Sequence, residues 1–486
     1  MTIKIASDTM RPHGSGMRNP ILNTDSYKLS HYLQYPPGTR AVSAYVEARK
    51  GGDMDHVLFF GLQMFLLDYL TERVTAADID EAESITIAHG LPFNRDGWER
   101  IVKKHRGHLP LKIEALPEGS VVPAGIPLVQ VRTTDPQLFW LATYIETALL
   151  RAIWYPSTVA TVSWGVKQTI RDALEKSAEP DVARAVLPFT LHDFGARGTT
   201  SFEQAGIGGL AHLVNFMGTD TLTALSYARA FYDEPMAGFS IPAAEHSTMT
   251  AWGEEGEPEA FRNMLRRFGG PGKLVAVVSD SYDIYRAVRQ TWGDTLKEEV
   301  RQMGGTVVVR PDSGDPTVVP IDVIDMLGEA YGFTINAKGY KVLDPAVRVI
   351  QGDGVNPESI KVILERLLAK GWSAENIAFG MGAALLQKVN RDTLRFAMKA
   401  NAREDASGQW HDLAKSPKTD PGKASKAGRL AVFRDKDGAY GWCRREDLGS
   451  RENLLKPVWR DGELLHRTTL ADVRALAEES SMSRAA

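Results

Sequence analysis

From Val57 to about Arg106, apolar and charged positions recur at the three-to-four-residue spacing of helices. Leu109 to Val131 instead breaks into short β-rich pieces separated by Pro117, Gly119, Pro123, Gly125 and Pro127, so this first region reads as α+β. Gln137 to Tyr155 then carries a strongly apolar helical pattern, and Thr161 to Lys176 continues as an amphipathic helix. After Pro188 short apolar runs alternate with helical segments: Phe189 to Asp193, Leu274 to Asp280, Thr306 to Arg310, Val347 to Asp353 and Ile377 to Gly380. Continuous β-branched runs between helices indicate parallel strands buried on both faces.

The fold class expected is α/β: an irregular (β/α) barrel of parallel strands, with a second α+β domain built from the N- and C-terminal regions. The expected division is a loose tail over 1–18, the α+β domain over 19–160 plus 395–486, and the barrel over 161–394. Barrel chemistry gathers at the carboxyl ends of strands, where His192, Asp280, Arg310, Asp312, Asp353 and Gly380 fall. Asp and Gly at such places also cap helices and close turns. Asn401 to Gly428 reads as a long polar loop carrying Lys415, Lys418, Lys423 and Lys426. Beyond it Arg429 to Phe433 and Gly438 to Cys443 predict a hairpin, and Thr469 to Glu478 a closing helix.

With 43% hydrophobic and 24% charged residues over 486 positions, the composition is that of a globular protein of about two or three units. A net charge of −4 supplies no basic field for nucleic acid or an anionic membrane. The single cysteine, Cys443, excludes an internal disulfide framework and a cysteine-pair zinc site, and suits a reducing, cytoplasmic compartment. Val57 to Leu70, the most apolar run, is too short for a membrane span and is interrupted by Gln63 and Asp68. Met1 to Arg18 lacks the apolar core of a secretory signal.

Gly206-Ile207-Gly208-Gly209-Leu210-Ala211 has the spacing of a dinucleotide fingerprint, but no convincing strand directly precedes it and the match is rejected. Gly272-Lys273 is followed by Leu274, so there is no hydroxyl for a Walker A loop. Arg310-Pro311-Asp312-Ser313-Gly314 carries more weight. A guanidinium grips phosphate oxygens through its planar fork, and a carboxylate takes ribose hydroxyls or Mg²⁺. Gln351-Gly352-Asp353-Gly354 and Gly380-Met381-Gly382 add glycine turns whose amides can face an anion. Several such turns on successive strands suggest a ligand with more than one phosphate.

The segments Asn23 to Lys28, Leu191 to Gly198, Gly218 to Asp220, Pro242 to Thr248, Ser279 to Asp283, Arg310 to Gly314 and Gln351 to Gly354 closely resemble the nicotinamide phosphoribosyltransferase family, in order from about Asn19 to Arg429. The resemblance implies condensation of nicotinamide with phosphoribosyl pyrophosphate, Mg²⁺ riding on the pyrophosphate, through an oxocarbenium-like ribose. It implies that Phe194 and a partner subunit's Tyr27 sandwich the pyridine ring, with Asp220 accepting a hydrogen bond from the carboxamide and Arg310 nearby. His246 would be a phosphohistidine coupling ATP hydrolysis to the reaction, oriented by Asp280 with Glu245 beside it. Arg197, Arg310 and His246 would face pyrophosphate. Asp312, Gly352 and Asp353 would hold the ribose, and Gly382 with its neighbour Ala383 the 5′-phosphate. Arg49, Arg391, Lys399, Lys415 and Lys423 would complete the phosphate sites across a homodimer, while Lys418 and Lys426 fit a solvated tether. Ala383 departs from the family's glycine-richer phosphate loop, adding a methyl where backbone approaches phosphate. A nicotinate phosphoribosyltransferase and a non-catalytic phosphosugar-binding homologue are the competing readings.

Overall fold

The computed structural model describes residues 19–419 and 424–482, with side chains to 480; the tail 1–18 and Lys423 lie outside these residues. Five strands come first: β1 (Ala41–Ala48), β2 (His56–Leu58), β3 (Leu111–Ala115), β4 (Val121–Pro123) and β5 (Pro127–Thr133). Helices Ala76–Ala88 and Arg95–His105 lie between β2 and β3. Thr75 and Asp78 cap the first reciprocally, and Asn94 caps the second by accepting the Gly97 N–H at 3.1 Å.

The apolar pattern that the sequence splits in two is one helix, Glu146–Ser177, running through Pro156. The proline is tolerated because its ring seats against a bare backbone: a Cβ on Gly61 would stand 2.3 Å from Pro156 Cγ. Next to it Ser157 Oγ takes the Phe60 N–H at 3.1 Å and returns a bond to the Phe60 carbonyl at 3.0 Å. The boundary expected at 160/161 therefore falls inside a continuous helix. Leu149 and Ile153 enter the core around the first strands, whereas Val159, Val166 and Leu174 enter that of the barrel.

The barrel strands are β6 (Leu191–Asp193), β7 (Gly218–Thr219), β8 (Leu274–Val278) and β9 (Thr306–Arg310), then, after a hairpin of β10 (Phe333–Ile335) and β11 (Lys341–Leu343), β12 (Val347–Gln351) and β13 (Ile377–Met381). The six sheet strands are parallel, in the order β7-β6-β13-β12-β9-β8. Residues 239–244 span the remaining gap: the Thr219 N–H donates to the Phe239 carbonyl at 3.0 Å, and the Ala276 N–H to the Pro242 carbonyl at 2.9 Å. The five β-rich runs read from sequence are all strands of this sheet. β7, a two-residue Gly-Thr piece, carries no apolar signal of its own. Val275, Val277, Val307, Val309 and Val349 face the surrounding helices, while Ala276, Val308 and Ile350 pack inward with Phe194, Ile241 and Ala378. The Gly206–Ala211 glycines lie within helix Phe202–His212, where a Cβ on Gly206 would stand 2.5 Å from Tyr227, so they serve helix packing.

The chain then returns to the first sheet through β14 (Phe396–Glu404), β15 (Trp410–Asp412), the hairpin β16 (Leu430–Arg434) and β17 (Tyr440–Arg444), and β18 (Lys456–Arg460) with β19 (Glu463–Leu464). β14 pairs with β1 and β18 with β3, giving a seven-stranded sheet in the order β15-β14-β1-β5-β3-β18-β19. The closing helix, Leu470–Met482, differs from the expected grouping of 395–486. It buries Leu470, Val473 and Ala477 in the barrel core, and Lys167 and Arg171 of the long helix pair with its Glu478. Among the described residues no helix is long and apolar enough to cross a membrane.

Candidate active site at the strand ends

His246 opens a short helix, His246–Thr250, directly after the segment that bridges the barrel. Its Nε2 lies 3.0 Å from Asp280 Oδ1, just past β8, and its Nδ1 lies 3.9 Å from Asp312 Oδ2, just past β9. Asp280 is buried and His246 half-exposed, so the carboxylate orients an imidazole whose other nitrogen faces the barrel mouth. The second Asp280 oxygen accepts the Asp312 N–H at 3.1 Å, tying the β8 and β9 ends together. Burial raises the Asp312 carboxyl above its ordinary value, with Arg310 pulling the other way. Arg310 Nε stands 3.8 Å from Asp312 Oδ1 and has no protein hydrogen-bond partner.

Phe194 follows β6 and rests on glycine. A Cβ at Gly380 would stand 1.9 Å from Phe194 Cε2, and one at Gly352 would stand 3.4 Å from that ring atom and 3.1 Å from Asp312 Oδ1. Only hydrogen fits at Gly380, which is why β13 carries a glycine next to its last residue, beneath the ring. Asp220 follows β7; its N–H donates to the Asp193 carbonyl at 3.0 Å and its Oδ1 accepts the Ser240 hydroxyl at 2.6 Å. The N-cap of the next helix is Thr221, so the Asp220 side chain is not spent on capping. His192 stacks obliquely near Phe194 at 6.2 Å between centroids; burial lowers its pKa and Asp220 opposes that shift.

Exposed Arg197 and Asp353 and half-buried Gly382 border the same mouth on the β6, β12 and β13 loops, and Ala383 is exposed one residue further on. Glu245 does not reach the imidazole in these contacts: its carboxylate takes the Ser247 hydroxyl, and its carbonyl the Thr248 hydroxyl at 2.9 Å, the geometry of a helix start.

A second group of expected residues gathers elsewhere in the chain. Tyr27 is 55% exposed on helix Ser26–Leu33, next to Lys28, which pairs with Glu146 and lies 5.3 Å over the Tyr27 ring. The pKa of Lys399 is lowered, by burial first, with Glu146 opposing and the charges of Arg49, Lys28 and Arg391 adding to the lowering, which places these cations around it. These residues belong to helix Ser26–Leu33, the end of β1 and the stretch around β14, whereas His246, Phe194 and Arg310 belong to the ends of the barrel strands. Lys415 is exposed, its loop closed by reciprocal bonds with Ser425. Lys426 is not a solvated tether: it pairs with Glu47, lies over the Trp442 ring at 4.9 Å and donates its N–H to Tyr45 Oη at 2.9 Å. Sequence reasoning missed Ser240, Asp193 and Gln387, whose roles depend on partners distant in sequence.

A parallel barrel whose mouth collects an aromatic face, an Arg–Asp pair and glycine turns is that of an enzyme acting on a phosphorylated sugar. The nicotinate phosphoribosyltransferase (NAPRTase) family model matches residues 189–463, and the N-terminal domain model of nicotinamide phosphoribosyltransferase matches residues 19–113. The chain is 54% identical over 469 residues, 96% of its length and 99% of the relative's, to the nicotinamide phosphoribosyltransferase of Xanthomonas campestris pv. campestris (strain 8004). It belongs to the nicotinamide phosphoribosyltransferase family, and is thus a pentosyltransferase. Solved structures share the fold. The nicotinate-nucleotide pyrophosphorylase of Pyrococcus furiosus superposes with TM-score 0.63 at 16% identity, covering 98% of this chain and 100% of that one. Human nicotinic acid phosphoribosyltransferase gives 0.58 at 20%, covering 94% and 93%.

Proposed function

We propose that the chain joins nicotinamide to phosphoribosyl pyrophosphate, releasing pyrophosphate, as a salvage step of NAD biosynthesis in the cytoplasm. The observation that carries this reading is the place of Gly352, between the Phe194 ring and the Asp312 carboxylate, which makes a base platform and a ribose–phosphate site contiguous across one residue.

On this reading the pyridine nitrogen attacks the anomeric carbon as the bond to pyrophosphate breaks. The ribose gains positive character, and the departing negative charge falls to Arg310 and Arg197. A guanidinium whose buried Nε has no hydrogen-bond partner in the protein is suited to that charge. Phe194 holds the ring flat and the free Asp220 oxygen accepts the carboxamide N–H. Nicotinic acid would bring a carboxylate against Asp220, a like-charge contact costing several kcal/mol when desolvated. Asp312, Gly352 and Asp353 take the ribose, and the Gly382–Ala383 backbone the 5′-phosphate.

His246 is the proposed acceptor of the ATP γ-phosphoryl group. With Nε2 held by Asp280, Nδ1 is the nitrogen left with a lone pair; it forms the N–P bond as ADP departs, and water later releases phosphate. Mg²⁺ would arrive on the pyrophosphate, where it would neutralise charge, with Asp312 and Asp353 the oxygen donors within the site. Tyr27, Arg49, Arg391, Lys399 and Lys415 are proposed to complete the site of a second subunit; the mutual influence of Arg49, Lys28 and Arg391 on Lys399 supports a common cationic patch.

The test is turnover by purified protein with phosphoribosyl pyrophosphate, Mg²⁺ and either base, with and without ATP. Preference for nicotinamide with stimulation by ATP is expected. Preferential turnover of nicotinic acid overturns the substrate assignment, and binding without product overturns catalysis.

A further inference from the structure

Asp193, the last residue of β6, is completely buried at the back of the base-binding region and has no part in the chemistry described above. Its Oδ1 accepts the Gly195 N–H at 2.7 Å, closing the turn on which Phe194 is carried. Its backbone carbonyl accepts the Asp220 N–H at 3.0 Å. The Gly195 peptide is clamped from its other side as well, because Gln387 Nε2 donates to the Gly195 carbonyl at 2.8 Å. Gly195 itself admits no side chain, since a Cβ would stand 2.7 Å from Leu386 Cγ. One residue therefore fixes both the aromatic platform and the carboxylate that faces the substrate amide, and it does so through short bonds away from solvent, where they are least exchangeable with water.

We propose that Asp193 is a positioning residue for base recognition: its carboxyl holds the Phe194 turn while its carbonyl holds Asp220, so that it sets the affinity for the pyridine base rather than the phosphoribosyl site. This rests on the reading of Phe194 and Asp220 as the base pocket. The cost of the arrangement is visible in its other oxygen. Oδ2 is buried near Gly209, and burial pushes the carboxyl up to about 6 against the opposing pull of the Thr221 hydroxyl and the Gly195 N–H. An apolar side chain of similar shape would avoid that burial but leave the Gly195 N–H without its acceptor, and with it the turn that carries Phe194.

Four variants test this. Asp193→Leu and Asp193→Ala remove the acceptor; Asp193→Asn keeps an oxygen for the Gly195 N–H; Asp220→Asn reports on the base pocket itself. With the folded proteins, the two acceptor-free variants are expected to raise KM for nicotinamide tenfold or more while leaving KM for phosphoribosyl pyrophosphate and kcat within about threefold. Asp193→Asn is expected to stay within about threefold of the parent in all three. An unchanged nicotinamide KM in a folded acceptor-free variant overturns the proposal. So does a parallel rise in both KM values, or failure of both acceptor-free variants to fold, since each makes the role structural only. If the unsubstituted protein does not turn over nicotinamide, or Asp220→Asn leaves the choice between amide and acid unaltered, it is the reading of the base pocket that fails.

Discussion

His246 Nε2 and Asp280 Oδ1 stand 3.0 Å apart, and the other Asp280 oxygen is already taken by the Asp312 N–H at 3.1 Å. This double use makes Asp280→Asn a sharp probe. An asparagine must turn its oxygen toward the Asp312 N–H and so present its NH₂ to the imidazole. That reverses the tautomer and puts a proton on Nδ1, the nitrogen proposed to attack phosphorus. The stimulation of turnover by ATP should fall roughly 100-fold, the scale of positioned acid–base groups, with ATP-independent turnover held within about tenfold. Rates measured with and without ATP decide, and undiminished stimulation would remove Asp280 from this role.

Gly380 lies beneath Phe194 with no space for a methyl, its Cβ position being 1.9 Å from the ring. Gly380→Ala must displace the ring or the end of β13. KM for nicotinamide should rise at least tenfold, since about 1.4 kcal/mol of lost platform contact is a factor of ten, with a smaller effect on KM for phosphoribosyl pyrophosphate. Equal changes in both would mean that the whole barrel mouth has moved.

The barrel was legible because β-branched runs such as Thr306 to Arg310 need burial on both faces, and their ends therefore point to a mouth. β7 was hidden because Gly218 and Thr219 pair through backbone alone. The helical stretches read over Gln137 to Tyr155 and Thr161 to Lys176 leave a gap at Pro156, where a proline usually breaks a helix; its accommodation here depends on Gly61, remote in sequence. Lys426 was misread for a related reason: whether a charge is solvated or paired depends on partners such as Glu47 that only the fold supplies. The motif residues themselves were readable, whereas the groups behind them, Asp193 under Phe194 and Ser240 beside Asp220, carry no local pattern.

Asp220 accepts the Ser240 hydroxyl with one oxygen, leaving the other for the substrate. Asp220→Asn removes the charge that repels nicotinic acid while preserving shape. The ratio of kcat/KM for amide over acid should narrow by roughly tenfold or more, the scale of one relieved charge contact. An unchanged ratio would place the discrimination elsewhere.

Tyr27 is exposed on helix Ser26–Leu33, and Phe194 follows β6 at the barrel mouth. If two subunits share each site, Tyr27→Ala and Phe194→Ala proteins, each impaired, should recover activity when mixed under conditions that allow subunit exchange. A hybrid dimer then contains one site lacking both rings and one retaining both. Up to about a quarter of parental activity is expected if subunits redistribute at random and sites act independently, as symmetry-related interfaces require. Demonstrated exchange without recovery would show that Tyr27 serves no partner.

His212 offers a test of stability rather than catalysis. It is fully buried, with Nδ1 3.0 Å from Ser163 Oγ and Nε2 3.1 Å from the Gly218 carbonyl, and burial holds its pKa down to about 3 from 6.5. The unfolded chain takes up a proton below pH 6.5 that the folded one refuses, so the stabilisation is complete above that pH and is lost as the pH falls toward 3. The slope is about 1.4 kcal/mol per pH unit, or about 2 kcal/mol by pH 5. His212→Gln cannot titrate. Whatever its stability at pH 7, its urea midpoint should decline less between pH 7 and 5 than that of the parent, by an amount equivalent to about 2 kcal/mol. Because the imidazole anchors the carbonyl of Gly218, two residues before Asp220, the same variant should also raise KM for nicotinamide at pH 7. Parallel pH profiles for the two proteins would show that His212 protonates without unfolding the barrel.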